Sequence, residues 1–237
     1  MYRNKKILAL IPGRGGSKGL SGKNIKAFLG KPLIAWTIEQ AQASKYLDKI
    51  IVSTDNIKIS KIALKYGAEV PFLRPKKLAT SSAKIATVLM HALDFFEKKL
   101  CKFDFIMLLQ PTSPLRKPED IDKAIEFLFR KKAQTVVSVC PAEHHPFWCC
   151  NLKEDGKIKS FLNQSALNRN RQELPAYFRL NGAIYLAQTS FFRKNRKFIT
   201  KDTYAYKMHY QYSVDIDNEL DFDYAQFLGA REKCLKI

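Results

Sequence analysis

Short apolar runs alternate along the chain with segments in which apolar residues recur every three or four positions. The short runs, typical of buried strands, cover residues 7–11, 49–53, 69–72, 103–109 and 135–139. The helical spacing covers residues 33–44, 57–66, 85–99 and 121–129. This alternation predicts an α/β fold with a mostly parallel, Rossmann-like sheet flanked by helices, and it places ligands at the carboxyl ends of the strands.

The alternation stops at residue 140 and resumes near residue 176, with polar sequence that contains histidine and asparagine in between. We therefore predict a core made of residues 1–139 and 176–237, with residues 140–175 as a small inserted subdomain. In the second part of the core, the pattern predicts a strand at 182–187, a helix at 189–192, a strand at 207–214 and a closing helix at 219–233.

A basic glycine loop follows the first apolar run. Five glycines lie between positions 13 and 22, and Arg14, Lys18 and Lys23 are placed among them. Glycines allow consecutive backbone N–H groups to converge on an anion, and three cations can neutralise several phosphate oxygens. The loop predicts a triphosphate site, although an ordinary basic turn has the same composition.

The spacing of this loop excludes the two commonest phosphate loops. A dinucleotide-binding loop requires glycine at the position of Lys18, and a Walker A loop requires Ser or Thr at the position of Asn24.

Two acidic residues alternate with apolar ones near the carboxyl end, in the sequence Val214-Asp215-Ile216-Asp217. On a strand, both carboxylates would emerge on one side, about 7 Å apart. Mg²⁺ commonly binds one or two carboxylates together with phosphate oxygens of a substrate. The pair therefore predicts a metal site, with a solvated strand end as the alternative.

Polar residues also follow two other predicted strands. Residues 110–116 combine neutral hydrogen-bonding side chains with Arg116 and predict a sugar- or base-binding lip, with a structural turn as the alternative. For Ser53-Thr54-Asp55 we expect a capping role for the helix that follows. His144 and His145 have no further ligand at a metal-binding spacing, which favours structural roles.

The chain of 237 residues has 41 basic and 22 acidic residues, and its net charge of +19 would attract a polyanion. Because the basic residues are distributed along the whole chain, we expect solvated surfaces rather than nucleic-acid binding. The five cysteines include no C-x-x-C pair, and no apolar run is long enough for a membrane span. These features predict a cytoplasmic protein with free thiols.

Several sequence blocks together resemble the cytidylyltransferases that activate nonulosonic acids, also called CMP-sialic acid synthetases or acylneuraminate cytidylyltransferases. The blocks occur in order over nearly the whole chain: residues 11–19 with Lys23-Asn24, 51–55, Arg74-Pro75, 109–116, Arg171-Gln172, 181–185 and 215–217. The resemblance implies that a sialic-acid-like sugar attacks the α-phosphate of CTP, with Mg²⁺ as the cofactor and Mn²⁺ as the alternative.

The resemblance also implies a role for each matched residue. Catalytic roles fall to Arg14, Lys23 and Asp217, and metal binding falls to Asp215 and Asp217. Nucleotide binding falls to Arg14, Gly15, Gly16, Ser17, Lys18, Lys23, Asn24 and Arg74. Sugar binding falls to Gln110, Arg171, Asn181, Tyr185 and Trp148, with Arg171 expected to pair with the sugar carboxylate. The inserted segment resembles the family's dimerisation element, which implies a homodimer.

Three positions depart from the family pattern. Gly13 stands where alanine is usual, and residues 79–85 depart from the pattern of aspartate and serines common in the segment that contacts cytosine. Trp148 stands where relatives that use sialic acid can carry a lysine, so an apolar platform replaces a cation. This favours a deoxygenated sugar such as legionaminic acid. A cytidylyltransferase for Kdo is the alternative enzyme, and a nucleic-acid-binding module is the alternative class.

Overall fold

The structure is a computed structural model that describes residues 1–16 and 19–234, without the side chains of Lys233 and Cys234. Its helices are α1 (Leu33–Gln42), α2 (Ile57–Lys65), α3 (Ile85–Lys98), α4 (Pro118–Arg130), α5 (Thr189–Asn195) and α6 (Glu219–Cys234). Its strands are β1 (Ile7–Pro12), β2 (Ala27–Phe28), β3 (Lys31–Pro32), β4 (Lys49–Ser53), β5 (Phe105–Leu108), β6 (Thr135–Pro141), β7 (Cys150–Leu152), β8 (Ile158–Phe161), β9 (Phe178–Gln188) and β10 (Tyr204–Lys207).

Six strands form the central sheet in the order β10-β6-β9-β5-β1-β4. Strand β9 runs antiparallel to both of its neighbours, and the remaining pairs are parallel. The prediction of an α/β fold with a mostly parallel sheet is therefore confirmed. Since β1, β4 and β5 are parallel neighbours, the loops that follow them meet at one edge of the sheet.

The alternation of side chains along β1 divides the core into two layers. Ile7, Ala9 and Ile11 pack on one face with α1, α2 and α4, while Leu8 and Leu10 pack on the other with α3 and α5. All five are fully buried, as expected for a central parallel strand. A third cluster joins α6 to residues 214–216.

Two predicted strands are wrong. Residues 69–72 form only isolated bridges at Glu69 and Leu73, because they run beside the outer strand β4 without a continuous ladder. The last strand is β10, which ends at Lys207, so Asp215 and Asp217 lie in an extended loop without strand pairing. Val214 and Ile216 are nevertheless buried as predicted, but only Asp217 of the two acidic residues is exposed, whereas Asp215 is half-buried.

Between β6 and β9, the chain leaves the sheet. A β7–β8 hairpin and three short 3₁₀ turns occupy this stretch, and most of its side chains are exposed. The domain boundaries at 140 and 175 stay a prediction, although β6 ends at Pro141 and β9 begins at Phe178, close to both positions. His145 takes a structural role here: its ring accepts a hydrogen bond from the N–H of Phe147 and contacts the Pro175 carbonyl oxygen.

Candidate active site

A cavity of about 350 Å³ lies at the carboxyl ends of β1 and β5. Its walls come from four separated chain segments: the glycine loop, residues 74–88, residues 110–112 and residues 215–217. The lining residues include Arg14, Lys23, Asn24, Arg74, Thr80, Gln110, Thr112, Asp215 and Asp217. The basic loop near the amino end and the acidic pair near the carboxyl end therefore share one cavity, although about 200 positions separate them in the sequence.

Two side chains hold the glycine loop in place. The backbone N–H of Gly15 donates to Oδ1 of Asp55 at 3.0 Å, and Nδ2 of Asn24 donates to the carbonyl oxygen of Arg14 at 3.0 Å. Asn24 is buried, so its amide supports the loop from inside while lining the cavity. Gly15 and Gly16 are not among the residues that line this cavity, and Ser17 and Lys18 lie outside the described residues.

The expectation that Asp55 caps the following helix is wrong. Asn56 is the N-cap of α2, because its Oδ1 accepts from the N–H groups of Lys58 and Ile59. Asp55 is thereby left to accept from Gly15 across the cavity edge. The sequence does not indicate which of the two residues caps the helix, since both side chains can do so.

Arg74 is a buried cation in the cavity wall, with 6% of its surface exposed. Its Nε donates to the hydroxyl of Ser53 at 3.0 Å, and its Nη2 donates to the Ser53 carbonyl oxygen. Burial lowers the pKa of Arg74 to about 10, opposed by the charge of Asp55 and assisted by the charge of Arg14. The guanidinium stays charged at neutral pH, and an anionic ligand would relieve the cost of burying it.

Lys23 connects the glycine loop to the acidic segment. Its Nζ donates to the carbonyl oxygen of Ile216 and lies 3.5 Å from Oδ1 of Asp217. The Lys23 side chain is 11% exposed, whereas that of Asp217 is 79% exposed. The Lys23 side chain is therefore held by the Ile216 carbonyl oxygen, while the exposed Asp217 carboxylate can reorient towards a ligand in the cavity.

Asp215 is a half-buried carboxylate with one buried, unsatisfied oxygen. Its Oδ1 has no hydrogen-bond partner among the described residues. Burial raises the pKa of Asp215, and the nearby charge of Asp217 raises it further. A hydrogen bond from Thr112 and the charges of Lys23 and Arg179 oppose both effects. A buried acceptor without a donor is costly, and a cation in the cavity would satisfy it.

Gly182 makes room for Asp215. Its φ of +72° suits glycine, and a Cβ placed on it would lie 2.7 Å from Oε1 of Gln110 and 2.9 Å from Oδ2 of Asp215. Both cavity side chains therefore rest directly on the Gly182 backbone. The role of this glycine is not recognisable in the sequence, where it appears only as part of a strand.

Asp215 and Asp217 fit a divalent cation that also binds phosphate oxygens. No group of three or more His, Cys, Asp or Glu side chains suited to a metal occurs in the described part of the chain. A site of two carboxylates, one of them with a free buried oxygen, is incomplete by itself. It matches Mg²⁺, which commonly takes one or two carboxylates and completes its shell with phosphate and water.

Residues 80–88 form part of the cavity wall. Thr80, Ser81, Ala83, Ile85 and Val88 line it, and the Thr80 carbonyl oxygen accepts from Nη1 of Arg14 at 3.1 Å. This mixture of hydroxyl, backbone and aliphatic groups can accommodate a nucleobase. The segment that departs from the family pattern therefore lines the same cavity as the glycine loop and the acidic pair.

The residues predicted to bind sugar do not all lie in one cavity. Gln110 lines the cavity. Tyr185 lies on β9, where burial and the charge of Asp215 raise its pKa. Asn181 is fully buried and bonds to the hydroxyls of Ser138 and Ser213, so its amide is occupied inside the core. The sugar-binding role of each stays a prediction.

Arg171 and Trp148 lie on the inserted segment and do not line the nucleotide cavity. Arg171 lines a second cavity of about 240 Å³ with His145 and Tyr177, and its Nη2 donates to the Ala142 carbonyl oxygen at 3.4 Å. Trp148 packs near His145 and is 38% exposed. Within one chain, both residues are separated from Gln110.

Two arginines, Arg179 and Arg116, have contacts that the sequence pattern does not indicate. Arg179 forms a bidentate ion pair with Glu143, at 2.8 and 2.6 Å. Its positive charge also lowers the pKa of Asp215, against the larger effect of burial. Sequence reasoning did not single it out. Arg116, expected in the lip, is instead fully buried and donates to the Ala183 carbonyl oxygen and to Gln40. The lip at the cavity consists of Gln110, Pro111 and Thr112.

Comparison with known proteins identifies relatives over almost the whole chain. A family model described as "Cytidylyltransferase" matches residues 8–234. The chain is 40% identical over 219 residues to the CMP-N,N'-diacetyllegionaminic acid synthase of Legionella pneumophila, covering 92% of this chain and 93% of that protein. It is 36% identical over 233 residues to the N-acylneuraminate cytidylyltransferase of Escherichia coli, covering 98% of this chain and 54% of that protein.

Among solved structures, the chain resembles a CMP:2-keto-3-deoxy-manno-octonic acid synthetase complexed with CTP. The TM-score is 0.69, the identity is 17%, and the match covers 96% of this chain and 99% of the other. At this identity, the likeness shows a common fold.

Proposed function

We propose that this chain, which belongs to the cytidylyltransferase family, transfers CMP from CTP to the anomeric hydroxyl of a nonulosonic acid. The hydroxyl oxygen bonds to the α-phosphorus, the bond from that phosphorus to the bridging oxygen breaks, and pyrophosphate leaves with the electron pair. The hydroxyl proton passes to a base or to water. The observation that carries this proposal is the shared cavity of Arg14, Lys23, Asp215 and Asp217.

The cations of the cavity would stabilise the transferring phosphoryl group. Arg14, Lys23 and Arg74 all line the cavity, so negative charge that develops on the leaving pyrophosphate meets a fixed positive charge. Asp55 and Asn24 hold the loop before the nucleotide arrives, which reduces the reorganisation needed during the reaction.

Asp215 and Asp217 would hold Mg²⁺, or Mn²⁺ in its place. The unsatisfied Oδ1 of Asp215 and the exposed carboxylate of Asp217 support this assignment. When bound, the metal would neutralise phosphate charge and draw the triphosphate towards the acidic pair. Lys23 would keep Asp217 near the triphosphate.

A legionaminic-acid-type sugar is the proposed acceptor. The Legionella pneumophila relative named for that product matches this chain over nearly all of both sequences. Trp148 adds an apolar surface where a lysine would favour a more polar sugar. Arg171 offers a guanidinium that can pair with the sugar carboxylate through two parallel hydrogen bonds.

A homodimer would complete the sugar site. The inserted segment exposes Leu152 at 63%, Ile158 at 55% and Leu162 at 68%, and exposed apolar clusters commonly mark protein interfaces. Because Arg171 and Trp148 do not reach the nucleotide cavity of their own chain, a second copy could present them to it. Light scattering of the wild type and of Leu162→Asp tests this, with loss of the dimer expected in the variant.

We place the enzyme in the cytoplasm, where CTP is made. Cys101, Cys140, Cys149 and Cys150 are free thiols, which is compatible with a reducing compartment. No helix in the described part of the chain is long and apolar enough to cross a membrane.

The direct test incubates the purified protein with CTP, Mg²⁺ and one sugar at a time, and detects CMP-sugar by mass spectrometry. The panel contains legionaminic, pseudaminic and N-acetylneuraminic acids and Kdo. Product with a nonulosonic acid supports the proposal, and preference for legionaminic acid supports the finer assignment. Product with Kdo alone, or none with any sugar, would refute it.

A further inference from the structure

The end of the sheet opposite the active site is strongly basic. We define the basal face as the loops that lead into the parallel strands, at residues 1–6, 43–48, 98–104, 130–134 and 196–203. Thirteen lysines and arginines lie in these loops against three aspartates. A share of the net charge of +19 is therefore concentrated on one face instead of being evenly distributed.

Direct contacts hold these loops together. The N–H of Asp104 donates to the Lys6 carbonyl oxygen at 2.9 Å, and the hydroxyl of Thr135 donates to the Phe198 carbonyl oxygen at 2.8 Å. Lys131 lies over the ring of Tyr204, which joins the end of α4 to the start of β10. The basic side chains therefore belong to one continuous surface.

Local compensation removes only part of the positive charge. Asp48 pairs with the amino terminus, and Asp104 pairs with Lys5. The carboxyl ends of α1, α3, α4 and α5 also lie here, but each helix terminus carries only about half an elementary charge. A large positive excess is left facing solvent.

Aliphatic side chains project from the same surface. Leu100 is 92% exposed, in a turn with φ of +57° between Lys99 and Lys102, and Ile199 is 47% exposed beside Lys197 and Lys201. Placing a leucine almost entirely in water gives this fold no packing energy. Basic side chains around projecting aliphatic groups are typical of proteins that bind the surface of an anionic membrane.

The aromatic residues of this face are less suited to nucleic acid. Phe127, Tyr204 and Tyr2 would be the available stacking platforms, but Arg130, Lys131 and Arg3 already lie over their rings. Single-stranded nucleic acid is usually bound through open aromatic faces. The aliphatic projections and covered rings together favour lipid.

We infer that the basal face docks the protein peripherally on an anionic phospholipid membrane. Strand β1 spans six residues from this face to the glycine loop, a length of about 20 Å. Docking there leaves the cavity open to the aqueous side, so nucleotide and sugar could enter and product could leave. This inference goes beyond the proposed function and does not depend on the identity of the sugar.

The test is co-sedimentation of the full chain with phosphatidylcholine vesicles that contain or lack phosphatidylglycerol, at low and high salt. We expect binding only to the anionic vesicles and release at high salt, where charges are screened. The triple variant Lys98→Glu, Lys102→Glu and Lys201→Glu should bind about a hundredfold more weakly. Leu100→Ser should weaken binding by about threefold to tenfold while preserving the net charge.

The matched control reverses three exposed lysines away from the basal face, Lys61→Glu, Lys123→Glu and Lys207→Glu. This control should retain binding, and all variants should keep wild-type CTP turnover, which separates docking from folding and catalysis. No binding to anionic vesicles, equal loss in the control triple, or single-stranded RNA displacing the vesicles at equal phosphate concentration would each overturn the inference.

Discussion

Nζ of Lys23 lies 3.5 Å from Oδ1 of Asp217, although 194 positions separate the two residues. Nearby, the Ile216 N–H donates to the Thr112 carbonyl oxygen at 2.8 Å, and the Asp217 N–H donates to Asp221 at the start of α6. The acidic pair is thus positioned by backbone contacts on both sides. Both carboxylates line the cavity in which we propose that a cation and a triphosphate bind.

Asp217→Asn should lower kcat by about a hundredfold or more while leaving the fold intact. The side chain is largely exposed, so its loss removes metal positioning without opening the core. Asp223→Asn, on the exposed side of α6, is the matched control and should be neutral. Turnover of the Asp217 variant within a few-fold of wild type would contradict its assignment as a ligand.

Asp215→Asn should abolish turnover but raise the Tm of the metal-free protein at neutral pH. Because the folded-state pKa of Asp215 is raised, the folded protein binds more protons between the ordinary aspartate pKa and the raised one, and stability falls as pH rises through that window. Asparagine carries no charge at any pH, so the variant avoids the cost of holding an ionised carboxylate at this position. The difference in Tm should vanish at pH values below the ordinary aspartate pKa, and scanning calorimetry across pH checks this.

Gly182→Ala should reduce kcat by about tenfold or more, because the new Cβ would displace Gln110 and Asp215. Gly156→Ala separates this effect from backbone strain: Gly156 also has a positive φ, of +83°, but a Cβ there meets nothing within 4 Å. Both variants should lose stability, and only the first should lose activity. Equal activity in the two would show that the cavity tolerates the methyl group.

Asp55→Ala should raise the KM for CTP by about tenfold, since the Gly15 N–H loses its acceptor and the loop is no longer preorganised. The neighbouring Asn56→Ala instead removes the cap of α2, a loss of about 1 kcal/mol or about 2–4 °C in Tm. Steady-state kinetics and thermal melts on both variants should give opposite patterns. An Asp55 variant that melts early but keeps its KM would assign this residue to capping.

Arg171→Ala should raise the KM for the sugar by at least about tenfold and leave the KM for CTP unchanged. The residue lies on the inserted segment, away from the nucleotide cavity of its own chain, and its guanidinium is suited to a carboxylate. Arg169→Ala, exposed on the same segment, is the control. If the sugar KM does not move, another cation must meet the carboxylate, and Arg179, whose charge acts on Asp215, is the candidate.

The sequence by itself determined the sheet and the chemistry of the nucleotide cavity. Continuous apolar runs at β1, β4 and β6 are typical of strands buried on both faces. The glycines with Arg14 and Lys23 indicate a phosphate site from local composition alone, whatever the tertiary arrangement. The acidic pair was recognisable as well, because two carboxylates so close together favour a cation between them.

Only the tertiary structure decided which groups meet. Asp55 supports Gly15 while Asn56 caps the helix, Gly182 supports Asp215, and Arg116 turns into the core. Local patterns do not contain these outcomes, because each depends on distant segments approaching within hydrogen-bond distance. The loop that carries Asp215 was read as a strand for the same reason: alternating burial follows from packing against α6 and the core, and a ladder partner is a property of the whole sheet.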